Sequence, residues 1–382
     1  MSHHPATSQN PGTSHTQTGP APRQPIVIWF GRVGDLILLS ALLDVLHRRY
    51  GGPCRLVGAG AWIADIYDTH RDIAEVIYVH RYTPFVFDPA WWRALLTLRR
   101  GSGDPVYVCE TDPRKLQRIR RLLRLSGTDP ARCLFIGDEP SCREPHWVDR
   151  LVSFGRLTPK AFSPQGTSSL TARSRESDYP WPTTPPPLCA PRLEVSPAAR
   201  TDCDAWIKQQ GWSGRPLILV QPGNRRTMRG KKLQISPLDD KSWPTERWAE
   251  LLRRIHAHRP EAAIVLCGAP RETLLLEWIH TAVNLPDAVF AAELPMGRLL
   301  ALCASAHSMI SVDTGPAHAA AALSLPLVVM FGGQPPAQWL PRSPSGSPVI
   351  GIGGPPELRR MDEIPAERTF ATWLTLLEKM KG

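Results

Sequence analysis

From residue 26 onward, short apolar runs alternate with stretches in which apolar positions recur every three or four residues. The runs at 26–30, 55–57, 76–79, 106–109 and 133–136 have the length and continuity of buried strands. A helical pattern follows the first run as far as residue 50, and others occupy 60–68, 90–99, 114–125 and 146–153. Strands alternating with helices predict βαβ units and a parallel sheet covered on both faces. The stretch 155–200 breaks the rhythm with Ser, Thr and Pro, including Pro185-Pro186-Pro187, and reads as a partly extended interdomain linker. Beyond it, helical patterns at 196–210, 245–258, 272–283, 296–305 and 316–324 interleave with strand-like runs at 217–220, 263–267, 289–290, 308–312 and 327–331. The fold class predicted is α/β, with two Rossmann-like doubly wound domains. The divisions are a disordered tail at 1–25, an N-terminal domain at 26–155, a linker at 156–200 and a C-terminal domain at 201–365. A final segment, 366–382, carries an amphipathic helix that could pack back on the N-terminal domain.

Composition narrows this picture. The 40 prolines crowd the first 25 residues, the linker and 335–356, marking tail, linker and loop rather than core. No apolar run reaches the roughly 18 residues that a membrane helix needs, and the polar N-terminus lacks the layout of a signal peptide. A cytoplasmic location is therefore expected. The eight cysteines include no Cys-x-x-Cys pair and several sit within apolar runs, so buried thiols are expected rather than disulfides or a zinc site. The net charge of +10 resides in two clusters, Arg114–Arg124 and Arg225–Lys232, neither of which contains an acid. They mark either an anionic partner (phosphate, anionic lipid or nucleic acid) or solvated basic faces.

Candidate chemistry lies just past the strand-like runs. Gly31-Arg-Val-Gly34-Asp35 joins the first strand to its helix, without the glycine spacing of a dinucleotide site. A carboxylate there would repel a diphosphate; it either caps the helix or acts as a base that takes a proton from a bound hydroxyl. Asp313-Thr314-Gly315-Pro316-Ala-His318 ends a strand and opens an Ala-rich helix, whose N-terminus can cradle a diphosphate; Asp313 and Thr314 could equally be caps, and His318 packing. Lys241, in Lys241-Ser-Trp243-Pro244-x-Glu246-x-Trp248, is either a phosphate contact or a surface lysine. Glu272, in Gly268-Ala-Pro270-Arg-Glu272, either holds ribose hydroxyls or adds a favourable charge to a first helical turn. No cluster of metal-ligand type is visible, so no metal is expected.

The ordered set — Gly-x-x-Gly-Asp, Gln-Pro-Gly, Lys-x-Trp-Pro-x-Glu-x-Trp, Gly-x-Pro-x-Glu, Asp-Thr-Gly-Pro-x-His — resembles glycosyltransferase family 9, the lipopolysaccharide heptosyltransferases. The resemblance implies a GT-B fold with its ligand between the domains, and inverting, metal-independent transfer from a nucleotide-sugar, typically ADP-heptose, with no further cofactor. By motif, it implies Asp35 as catalytic base in the loop of Gly31 and Gly34, and Lys241 on the donor phosphates. Glu272 would lie on the ribose, Met296 at the adenine edge, and Asp313, Thr314 and Gly315 at the phosphate turn beside His318. Gly223 or Asn224 would lie near the phosphates, although the basic segment up to Lys241 is longer than the family's loop. The implied acceptor is a lipid-linked anionic saccharide of the lipopolysaccharide inner core, reached by peripheral contact of the enzyme with the inner membrane. The basic amphipathic stretch 114–125 would lie on anionic lipid or form a core-packed helix with a basic outer face. Two alternatives are a family member with another acceptor, such as a protein hydroxyl or other surface polysaccharide, and a nucleotide- or nucleic-acid-binding protein. Charge alone favours the last, no nucleic-acid-binding pattern is visible, and pure binding does not require a carboxylate at position 35.

Overall fold

The computed structural model describes residues 23–381 apart from 61, 80–87, 164–189, 225–226, 230–231 and 234–241. The first half comprises β1 (Ile26–Trp29), α1 (Val33–Tyr50), β2 (Cys54–Ala59), α2 (Trp62–Tyr67), β3 (Ile73–Val79), α3 (Pro89–Arg100), β4 (Val106–Val108), α4 (Pro113–Ser126), β5 (Cys133–Phe135) and α5 (Trp147–Arg156). The second comprises α6 (Pro197–Gln209), β6 (Leu217–Gln221), a small hairpin of β7 (Met228–Arg229) and β8 (Lys232–Leu233), α7 (Thr245–His258), β9 (Ala263–Gly268), α8 (Thr273–Val283), β10 (Val289–Glu293), α9 (Met296–Ser305), β11 (Ser308–Val312), α10 (Gly315–Ala322), β12 (Leu327–Phe331), α11 (Pro336–Trp339), β13 (Val349–Gly353) and α12 (Ala366–Lys379).

Each half is a parallel sheet with helices on both faces, in the orders β3-β2-β1-β4-β5 and β10-β9-β6-β11-β12-β13. In both sheets strand order reverses beside a central strand, β1 or β6. A crevice forms at such a point, beyond the carboxyl ends of the strands. Local sequence explains the helix starts. Asp88, Asp112 and Ser196 accept N–H groups of the first turns of α3, α4 and α6, each with proline at the first helical position.

The halves are held together chiefly through α1. Leu36 to Leu43 are all buried, because α1 packs on α5 beneath its own sheet and on α10 of the other half. A helix apolar around its circumference has no face left for solvent. One continuous apolar cluster runs from α1 through Leu193 and Val195 to α9 and α10. Polar ties reinforce it: Arg192 N–H donates to Ser40 Oγ (2.9 Å), His146 Nε2 donates to Leu340 O (2.9 Å), and Arg342 pairs bidentately with Asp149 (2.6 and 2.7 Å).

One expectation changes. The final helix packs on α7, β12 and β13, and its Trp373, Leu376 and Leu377 enter a core built only from the second half. It does not return to the N-terminal domain, because the apolar outer side of the second sheet takes its apolar stripe. Most of the 156–200 linker, residues 164–189, lies outside the described residues, as does the tail up to residue 22; at the linker's ends α5 reaches Arg156, residues 160–162 form a helical turn and α6 opens at Pro197. Of the two readings of 114–125, α4 is a core-packed helix with a basic outer face: Ile119, Leu122 and Leu123 are buried against the sheet and α3. Its cations Arg118 and Arg120 lie over the rings of Trp91 and Phe135. The seven described cysteines are unpaired, six of them buried.

Candidate active site

A cleft of about 620 Å³ opens between the halves. From the first half, Arg32, Val33, Gly34, Asp35 and Trp62 line it. The second half contributes Gln221 at the end of β6 with Gly223 and Asn224 after it, Gly268 at the end of β9 with Ala269, Arg271 and Glu272 after it, Met296 on α9, and Asp313 to Pro316 with His318 after β11. Every one of these groups lies at or just past the carboxyl end of a strand, so sheet polarity alone brings them to one side.

Asp35 is the third residue of α1, and its Oδ2 accepts the Arg32 N–H at 2.7 Å. Capping and chemistry are therefore compatible: one oxygen is held, while the half-buried residue still faces the cleft. Burial pushes the Asp35 carboxyl above the ordinary aspartate value. The Arg32 N–H, the Arg32 guanidinium and the Lys115 ammonium pull it down, and Glu110 pushes it up. Gly31 is not itself a cleft residue, but a Cβ there would stand 2.7 Å from Asp35 Cβ, so the turn tolerates only glycine without moving.

Directly opposite, the start of α10 abuts the start of α1. A Cβ on Gly34 would lie 3.3 Å from the His318 ring and 3.6 Å from Gly315 Cα, and one on Gly315 would lie 3.0 Å from Val33 Cγ1. Two helix N-termini, each a positive dipole end, thus meet at a glycine pair. Thr314 occupies the cap position of α10 in extended conformation and makes no side-chain cap bond. That disposes of simple capping by this residue and leaves N–H groups at the helix start for a ligand anion. His318 is buried with its ring beside Gly34, placing it between the domains.

Glu272 is 8% exposed; its Oε2 accepts the Ala269 N–H at 2.9 Å, while Oε1 is buried without a hydrogen-bond partner among the described residues. Burial pushes its pKa above the ordinary glutamate value, offset in part by the Ala269 N–H and the nearby Gln221 amide. Gly223 is packed so closely on Glu272 that any Cβ would collide with Oε1. Both Gly223 and Asn224 line the cleft, and the Gly223 carbonyl accepts the Gln221 amide at 3.0 Å. Met296 lies at the far wall with Leu294 and Leu299. Lys241 lies outside the described residues. Its motif neighbours Trp243 and Trp248 are buried edge to face, centroids 4.7 Å apart, and serve the core.

The cleft also contains residues that motif reading passed over. Arg32 and Arg271, both exposed, stand on opposite lips. Each occupies a variable position within a recognised motif, so the signal was present but read as spacing. Trp339 completes a row with Trp147 and Trp29 (centroids 5.6 and 6.2 Å) from a proline-rich stretch read as loop.

The two-sheet arrangement is similar to solved structures. It matches the ADP-heptose lipopolysaccharide heptosyltransferase II of Escherichia coli with a TM-score of 0.67 at 19% identity, over 94% of this chain and 100% of that one. It matches a family 9 glycosyl transferase from Veillonella parvula with a TM-score of 0.65 at 16% identity, over 94% and 97%. At such identities the likeness establishes the GT-B fold. In sequence, the chain is 27% identical over 183 residues to lipopolysaccharide heptosyltransferase 2 of E. coli K12, covering 47% of this chain and 48% of the relative. It is 28% identical over 116 residues to the lipopolysaccharide core heptosyltransferase OpsX of Haemophilus influenzae, covering 29% and 33%. The chain thus spans at most about half the length of these curated relatives. The profile of glycosyltransferase family 9 (heptosyltransferase) matches residues 169–363, just over half of the chain and all of the cleft's second wall. The chain belongs to glycosyltransferase family 9.

Proposed function

We propose that the protein transfers heptose from ADP-heptose to a hydroxyl of a lipopolysaccharide inner-core acceptor, with inversion and without a metal. The observation that carries this reading is the placement of a carboxylate from the first half opposite an uncapped helix N-terminus from the second, across a single cleft. Asp35 takes the proton of the acceptor hydroxyl. The acceptor oxygen forms its bond to the anomeric carbon from the face opposite the diphosphate. The bond from that carbon to the phosphate oxygen breaks, and its electron pair leaves on the nucleoside diphosphate. Donors aimed at that developing charge lower the barrier. Here they would be the N–H groups at Thr314 and Gly315, with the charges of Arg271 and Lys241. Glu272 would accept from the ribose hydroxyls, and Met296 would rest against the adenine edge.

The names of the relatives support heptose and the lipopolysaccharide core as substrates. Among the described residues no helix is long and apolar enough to cross a membrane. Peripheral contact, on the cytoplasmic face of the inner membrane, is favoured by the outer side of α3 and α4. There Trp92 (47% exposed), Leu96 (46%) and Leu125 (45%) are exposed on helices that also carry arginines.

The decisive experiment pairs calorimetric titration of ADP, GDP and UDP with turnover of ADP-heptose on heptose-deficient lipopolysaccharide. Asp35→Asn should lower turnover by about 10²–10⁴-fold while ADP affinity stays near wild type. Turnover unchanged in that variant would remove Asp35 from the mechanism, and preference for GDP or UDP would remove ADP-heptose as donor.

A further inference from the structure

Lys115, in the first turn of α4, reaches back to the strand end that feeds the base turn. Its Nζ donates to the Phe30 carbonyl at 3.0 Å and stands 3.3 Å from Glu110 Oε2. Phe30 immediately precedes Gly31. Glu110 stands two residues past β4, the neighbour of β1, and is 3% exposed. Its Oε1 accepts the N–H groups of Thr111 (3.1 Å) and Asp112 (3.0 Å), so the backbone fixes the carboxylate that holds the lysine. A buried carboxylate of this kind needs its cation, because losing one partner strands the other charge. The fold could have been closed here by apolar packing. Instead a charged chain runs from the β4–α4 turn to the β1–α1 turn.

On the reading that Asp35 is the base, we propose that Lys115 is a positioning residue for it and that Glu110 holds Lys115 in place. The pair ties the two turns together and anchors a cation at the strand end from which the Asp35 turn begins. The charged groups that bear on that carboxylate are Arg32 on its own turn, Lys115 from α4 and Glu110 from beyond β4, while the His318 ring of α10 lies beside the neighbouring Gly34. Burial works against the ionised form of Asp35, and the ammonium works for it. Glu110 offsets part of the ammonium's field. A base stabilised too far would take the acceptor proton poorly, and one left protonated could not take it at all. The three groups together set that balance. Each turnover then converts Asp35 to a neutral acid beside an unchanged Lys115–Glu110 pair.

The test is a titration of Asp35 itself, in the full-length protein labelled with ¹³C at the aspartate carboxyl carbons. The Asp35 resonance is identified by its loss in Asp35→Asn. Lys115→Met should move the midpoint to higher pH, Glu110→Gln should move it to lower pH, and Lys115→Arg, which keeps the charge, should stay near wild type. With ADP-heptose and heptose-deficient lipopolysaccharide, the acid limb of turnover should move in the same directions, while ADP affinity by calorimetry holds. If the pair were only a fastening between turns, Lys115→Met and Glu110→Gln would lower the melting temperature and leave the midpoint where it is. That result, or a shift of both variants in one direction, would overturn the proposal. Failure of the transfer reading would appear separately, as Asp35→Asn retaining turnover, because the titration needs no substrate.

Discussion

Replacing Glu272 by glutamine should make the unliganded protein more stable and donor binding weaker. The carboxyl is 8% exposed, its Oε1 has no hydrogen-bond partner among the described residues, and burial pushes its pKa up. A carboxylate whose folded pKa lies above the unfolded value is penalised by folding once it ionises. The stability it leaves intact below the unfolded pKa is lost as pH rises through the folded pKa. Glutamine never ionises, so Glu272→Gln should melt higher than wild type at pH 8, with the difference vanishing near pH 4. Binding should respond oppositely. Hydrogen bonds to a charged acceptor contribute about 1.5–3 kcal/mol and neutral ones about 0.5–1.5. Two ribose hydroxyls would therefore lose about 2 kcal/mol together, or roughly 30-fold in ADP affinity. Calorimetry with ADP and thermal melts at both pH values read the two effects. ADP affinity equal to wild type would show that the orphaned oxygen does not face the nucleotide, and the donor's orientation in the cleft would have to be reversed.

Gly315→Ala sets a methyl 3.0 Å from Val33 Cγ1 and 3.3 Å from the Gly34 nitrogen. It should cost about 1–3 kcal/mol by overpacking and weaken ADP binding, both measurable on one preparation; a neutral result would mean that the halves already stand apart in solution. Trp373→Ala should cost about 3–5 kcal/mol in denaturant unfolding, because Trp373 is fully buried and its Nε1 donates to Ser308 Oγ at 3.2 Å; a small loss would place α12 elsewhere. Trp92→Ser with Leu96→Ser should lower sedimentation with anionic vesicles at low salt without altering ADP affinity, and unchanged sedimentation would remove α3 from any membrane contact.

How much of this was legible in the sequence follows from where the information resides. Elements whose pattern is dictated by their own burial were readable to the residue. Examples are α7 and α9, with clear apolar periods, and β11 and β12, buried along their whole length. β13 was not, because Val349–Gly353 holds two glycines, follows a proline-rich stretch and is half-exposed at the sheet edge. The partner face of α12 was hidden for a different reason: an amphipathic stripe states that a helix packs, not on what. The residues proposed for the site were found individually by motif, and apart from Gly31 and the undescribed Lys241 all line one cleft. Their relation was not readable, since the spacing of Gly34 and Gly315 along the chain says nothing of the 3.6 Å between a Cβ on one and the Cα of the other. That contact is what turns two ordinary strand-to-helix turns into one site. Each helix start alone offers only a partial positive charge. Brought together with a carboxylate on one side and N–H groups not capped by Thr314 on the other, they give the arrangement that the proposed transfer would use, with proton removal and anion binding on facing walls. A glycine at each closest point is what lets the two helix starts meet this closely, and side chains there would force them apart.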